Sequence, residues 1–172
     1  MKKNKNISTV NRRSFLESTS KAAAAGAILS QVPIERVAHA ADNDTVTVAL
    51  VGCGGRGTGA TKQALSTEGS VKLVAMADAF RDRLDSSLRN VSAQFKNKPD
   101  RIEVGEDCKF IGPDAYKKAM ALADVVILAT PPGFRPHMFA EAVRQEKNVF
   151  MEKPVATDSH GVRMVLEAAK EA

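Results

Sequence analysis

Thr45-Val46-Thr47-Val48-Ala49-Leu50-Val51-Gly52-Cys53-Gly54-Gly55-Arg56-Gly57 is the stretch that decides the fold. Its first seven residues form a continuous β-prone run, of the kind that suits a parallel strand covered on both faces. Glycines then stand at 52, 54 and 57 in G-x-G-x-x-G spacing. A helical stretch continues to about Glu68, with Gly69 as a stop. Strand, glycine turn and helix in that order open a βαβ unit.

The same alternation repeats downstream. Val71 to Ala77 reads as a second strand ending at Asp78, and Arg81 to Phe95 as a charged helix with Leu84, Leu88, Val91 and Phe95 on one face. Asn97-Lys98-Pro99-Asp100 breaks the chain. Between Arg101 and Gly112 the pattern supports only a short strand near Lys109 to Ile111. Pro113 to Leu122 is expected as a helix and Asp124 to Ala129 as a strand. Pro136 to about Glu146 is a further helix, Asn148 to Met151 a strand and Ser159 to Lys170 a last helix. Alternating strands and helices imply an α/β fold built on a mainly parallel sheet.

The residue types at the strand ends carry the chemistry. Gly52 allows a tight turn, Gly54 lets a phosphate approach the backbone, and Gly57 lets the helix pack close to the strand. With Gly55 and Arg56 they form a loop whose helix presents its first amides to a pyrophosphate. Asp78 lies 21 residues after Gly57. A carboxylate there accepts hydrogen bonds from ribose hydroxyls and repels a 2′-phosphate, which favours NAD over NADP. Arg81 and Arg83 nearby read mainly as a solvated helix face.

Thr130-Pro131-Pro132 follows the fourth strand, where ligands of open parallel sheets bind, and its two prolines make a stiff wall for the nicotinamide half. Glu152-Lys153-Pro154 follows the fifth. Partly desolvated, Lys153 is placed to exchange a proton with a substrate hydroxyl. His137 reads as an early-helix packing or hydrogen-bonding residue and His160 as part of a helix cap; neither has metal-ligand company, and no metal site is expected. Cys53 and Cys108 make neither a disulfide framework nor a metal cluster, and small size is what position 53 needs.

The N-terminus reads differently. Asn11-Arg12-Arg13-Ser14-Phe15-Leu16 is a twin-arginine pattern, an apolar stretch from Ala22 to Leu29 is too short to span a bilayer, and Ala38-His39-Ala40 offers a signal-peptidase site. Residues 1–40 are expected to be an export signal cleaved after Ala40, sending the protein to the periplasm or otherwise out by the twin-arginine route. They hold seven of the 25 Lys and Arg and two of the 20 Asp and Glu, so residues 41–172 carry 18 of each and no net charge. The formal +5 is thus a targeting feature and says nothing of nucleic acid. Residues 41–172 suffice for one domain with one core. No nucleic-acid partner is expected, and no membrane after cleavage.

Together VGCGGRGTGA, Asp78, ATPP and VFMEKPVA resemble the Gfo/Idh/MocA family of oxidoreductases over about residues 44–172. The resemblance implies a doubly wound Rossmann-type domain with helices on both faces, holding NAD, with NADP as the other candidate. It places Lys153 beside the nicotinamide and implies hydride transfer to or from a carbinol carbon of a sugar or cyclitol. A glycosidase of the same family, using NAD transiently, is one alternative; a non-catalytic, truncated cofactor-binding module is the other. Family members continue into a C-terminal α/β domain that supplies most sugar contacts. It is missing from this sequence, so the chain alone is expected to bind cofactor weakly and turn nothing over. Glu146 stands where the family often has glycine; if φ is positive there, Glu costs about 1 kcal/mol.

Overall fold

The computed structural model describes residues 45–172; the export-signal reading of residues 1–40 lies outside them. Among the described residues five strands alternate with five helices: β1 Val46–Val51, α1 Gly55–Leu65, β2 Val71–Asp78, α2 Arg81–Gln94, β3 Lys109–Ile111, α3 Ala115–Ala121, β4 Val125–Leu128, α4 Arg135–Arg144, β5 Asn148–Met151 and α5 Ser159–Glu171. All pair in parallel, in the order β3-β2-β1-β4-β5. The chain goes outward from β1 to one side, then returns to build β4 on the other. That reversal leaves a crevice beyond the carboxyl ends of β1 and β4, the place where open α/β sheets bind ligands.

Period-2 alternation sorts β1 between two cores. Val48 and Leu50 face one layer with Leu73, Met76, Leu84 and Val91. Ala49 and Val51 face the other with Ala75, Ala77, Met120, Val126, Leu128 and Ala142. Both faces of the sheet are therefore buried, which explains the continuous apolar run. The first core is closed by α1 and α2, the second by α3 and α4, and α5 packs against α4.

Helix ends differ from the sequence expectation for local reasons. Helix α1 stops at Leu65, where Ser66 and Thr67 hydroxyls donate back to the carbonyls of Lys62 and Ala64. The Arg101 guanidinium then donates to the carbonyls of Leu65, Thr67 and Gly69 at 2.9, 3.2 and 2.8 Å. Helix α4 ends at Arg144 because Glu146 adopts φ 56°. Its amide donates to Val143 and that of Lys147 to Ala142, a Schellman motif with Glu at the left-handed position. Two short 3₁₀ turns, Pro99–Arg101 and Glu106–Cys108, fill the stretch where the sequence pattern was weakest.

Candidate cofactor-binding site

The glycine loop is built as its spacing requires. Gly52 takes φ +95°, and a Cβ there would lie 2.7 Å from the backbone of Ala129 and Thr130. At Gly57 a Cβ would meet the Gly52 carbonyl oxygen at 2.0 Å, so α1 sits directly on the turn. Gly54 is the opposite case: a Cβ would meet nothing within 4 Å. Its lack of a side chain serves no contact inside the fold and keeps open the space above the loop.

That space faces the start of α1. Gly54 is the N-cap and offers no side-chain acceptor, and the first turn contains no acidic residue. Its leading amides are left for an outside anion, and the helix dipole favours one.

Asp78 ties the next strand to this loop. Its Oδ2 accepts from the Cys53 amide at 2.7 Å and its Oδ1 from the Phe80 amide at 2.9 Å. Each oxygen keeps acceptor capacity for a hydroxyl. The carboxylate lines a cavity of about 600 Å³ beyond the ends of β1, β2 and β4, together with Gly52, Gly54, Thr130 and Pro131. Gly55, Arg56, Gly57, Pro132, Glu152 and Lys153 do not line it. Arg83, expected on a solvated face, is exposed but stands at the cavity with Asp78.

The glycine loop and the E-K-P turn meet through one ion pair. Arg56 NH2 lies 2.5 Å from Glu152 Oε1; the arginine side chain is 58% exposed and the glutamate 5%. The approach lies off the hydrogen-bonding direction, so the buried Oε1 has no directed donor. Arg56 holds the Glu152 carboxyl below its ordinary range, against the effect of burial. Lys153 itself is exposed among the described residues, so the partial desolvation expected for it is not supplied by them.

Sequence reasoning missed Arg135. It is buried and donates from Nε to the Thr130 carbonyl at 2.6 Å and from NH1 to the carbonyls of Glu152 and Pro154. One guanidinium thus straps the loop after β4 to the turn after β5. Burial pushes it below the ordinary arginine range, partly offset by the nearby Glu152. An arginine amid an apolar helix start, beside Pro136, was the available signal. Phe80 and Phe134, 61% and 60% exposed, line the cavity and were also missed.

Other readings shift slightly. His137 is exposed rather than packed. Asp158, not His160, caps α5, its Oδ1 accepting from the Gly161 amide at 2.7 Å. Burial pushes the Cys53 thiol far up, which makes it inert.

Open space above Gly54, unspent amides on α1 and the acceptors of Asp78 fit a dinucleotide. Comparison with known proteins agrees. Residues 46–172 match the Gfo/Idh/MocA family, described as "Oxidoreductase family, NAD-binding Rossmann fold". A "Glycosyl hydrolase family 109 protein" of Shewanella pealeana is 29% identical over 164 residues, covering 86% of this chain and 34% of the relative. In fold the chain resembles apo scyllo-inositol dehydrogenase of Lactobacillus casei (TM-score 0.56, 21% identity, 74% of this chain and 34% of that one). It also resembles myo-inositol dehydrogenase of Lactobacillus casei in complex with NAD(H) and myo-inositol (TM-score 0.58, 18% identity, 74% and 34%). The chain spans about a third of the length of these relatives. It belongs to the Gfo/Idh/MocA oxidoreductase family, with that family's NAD-binding Rossmann fold.

Proposed function

We propose that this chain is the cofactor-binding domain of an NAD-dependent oxidoreductase acting on a carbinol carbon of a sugar or cyclitol. The observation that carries the reading is the Arg56–Glu152 contact, which joins the phosphate loop to the turn bearing Lys153. When bound, NAD supplies the hydride chemistry; the protein supplies position and charge.

In this reading the α1 amides and Arg56 hold the pyrophosphate. Asp78 accepts from the adenosine ribose hydroxyls, and its charge disfavours a 2′-phosphate, although Arg83 at the same cavity works the other way. Thr130, Pro131 and Pro132 form the stiff wall of the site, held by Arg135. The Lys153 amine takes the hydroxyl proton as the substrate is oxidised and returns it in the reverse direction.

Single-turnover absorbance of NADH, with the chain joined to a relative's remaining domain, tests this. Lys153→Met is expected to bind NAD normally and to lose about 10²–10⁴-fold in rate, the usual size of a general acid–base contribution. Reduction at the wild-type rate would make Lys153 structural. Asp78→Ala is expected to relax discrimination against NADP; tighter binding of NADP than NAD by the wild-type chain would overturn the role of Asp78.

The glycosyl hydrolase family 109 relatives favour a second reading, in which sugar oxidation is transient and ends in release of an aglycone. Aglycone release without net NADH would select it.

Residues 1–40 we take as a twin-arginine signal cleaved after Ala40, on the strength of Arg12-Arg13 and Ala38-His39-Ala40. Mass spectrometry of exported protein should find Ala41 at the N-terminus; an intact Met1 would refute the cleavage.

A further inference from the structure

The E-K-P glutamate stands at an unusual place for a carboxylate. It is 4% exposed, it meets Arg56 just after the glycine turn, and its Oε1 lacks a directed hydrogen bond. A buried carboxylate is costly unless paired. The pairing partner is Arg56, the second residue of α1, whose guanidinium is mostly in solvent. The pair keeps the glutamate charged, yet it is a weak source of stability for the fold. An exposed arginine loses side-chain freedom, and a buried glutamate is left with one angled contact.

The arrangement makes sense when the anion is counted. Arg56 follows the open Gly54 and the uncapped start of α1, where a diphosphate would lie. Free in solvent, its long side chain would sample many rotamers, and binding would carry the cost of fixing it. Anchored to Glu152, the guanidinium still has donors directed elsewhere, since it has five in a rigid fork.

Resting on the dinucleotide reading above, we propose that Glu152 is a positioning residue that holds the Arg56 guanidinium ready over the glycine loop to receive the diphosphate. Glu152 then acts on affinity only through Arg56. The turn that carries Lys153 and the loop that carries the phosphates are fixed against each other by this pair.

Calorimetric titration of the 172-residue chain with NAD, ADP and adenosine tests the proposal. Arg56→Gln is expected to weaken NAD and ADP by about tenfold, the size of one charge-assisted hydrogen bond. Adenosine, which has no phosphate, should be unaffected. Glu152→Gln should give a smaller loss for the same two ligands. The double variant should be no weaker than Arg56→Gln alone, since Glu152 has nothing left to position. Arg56→Lys should recover only part of the affinity, since an ammonium keeps the charge but lacks the fork that faces carboxylate and diphosphate together. If Glu152→Gln folds poorly, Glu152→Asp, which keeps the charge and draws it back from Arg56, should give the same pattern of losses, and wild-type affinity in it would overturn the proposal.

Losses that multiply in the double variant would show Glu152 acting independently and overturn the proposal. So would equal losses for adenosine, which indicate a structural role. Wild-type binding of NAD unchanged by Arg56→Gln would sink this inference and leave the dinucleotide reading standing. No NAD or ADP binding by the wild-type chain would overturn both.

Discussion

A side chain at Gly57 would place its Cβ 2.0 Å from the carbonyl oxygen of Gly52. The two glycines bracket the phosphate loop, and their contact sets how closely α1 approaches β1. Leu50 and Ala129 close the same spot, at 3.1 and 3.2 Å from that Cβ position. Backbone cannot yield there as a flexible side chain would. Gly57→Ala is therefore expected to destabilise the domain by about 3 kcal/mol, the upper part of the usual overpacking range. Urea unfolding measures it; a loss below about 0.5 kcal/mol would mean the helix is not seated on the turn.

Glu146 predicts the opposite sign. Its φ of 56° lies where glycine is least strained, and the residue is exposed, its side chain making no hydrogen bond or ion pair among the described residues. Glu146→Gly should stabilise by about 1 kcal/mol and raise the melting temperature by a few degrees. A lower melting temperature would show that the side chain contributes more than the strain costs.

At the far end of the sheet Asp124 binds β1 to β4. Its Oδ2 accepts from the Thr47 hydroxyl at 2.6 Å and the Thr47 amide at 2.9 Å. These bonds hold its carboxyl below the ordinary range. A depressed carboxyl stabilises the fold above its unfolded value, near 3.9, and that stability is lost as pH falls through the lower folded value. Because Asp124 is exposed, the contribution is about 1 kcal/mol or less. Thr47→Val should lower stability at neutral pH, and the gap to wild type should close in acid. A gap that stays constant down to strongly acid pH would contradict this.

Strands and glycines were the legible part of this fold. β3 and β5 fall on Lys109–Ile111 and Asn148–Met151 as expected, because short apolar runs between breakers leave few options. Helix ends were less legible, since they depend on partners distant in sequence. Arg101 caps α1 from 36 residues away, and no local signal marks that. The site divides in the same way. Gly52, Gly54, Gly57 and Asp78 are visible because backbone geometry demands them at fixed spacing. Arg135 leaves only the faint signal of a charge at an apolar helix start, because its donors go to carbonyls, and carbonyls are the same in every residue. Phe80 and Phe134 escape for a related reason: only the sheet order brings the ends of β2 and β4 to one cavity.

The central claim is that the glycine loop binds a dinucleotide, and Gly54 tests it most directly. A methyl group there meets nothing within the fold, and its cost as an N-cap is about 1 kcal/mol at most. Calorimetry of NAD binding, paired with a thermal melt, should compare the wild-type chain with Gly54→Ala. The wild type is expected to bind NAD, and the variant to melt within a few degrees of it while binding at least about tenfold more weakly. Equal affinity of the two chains, or no NAD binding by the wild type, would contradict it.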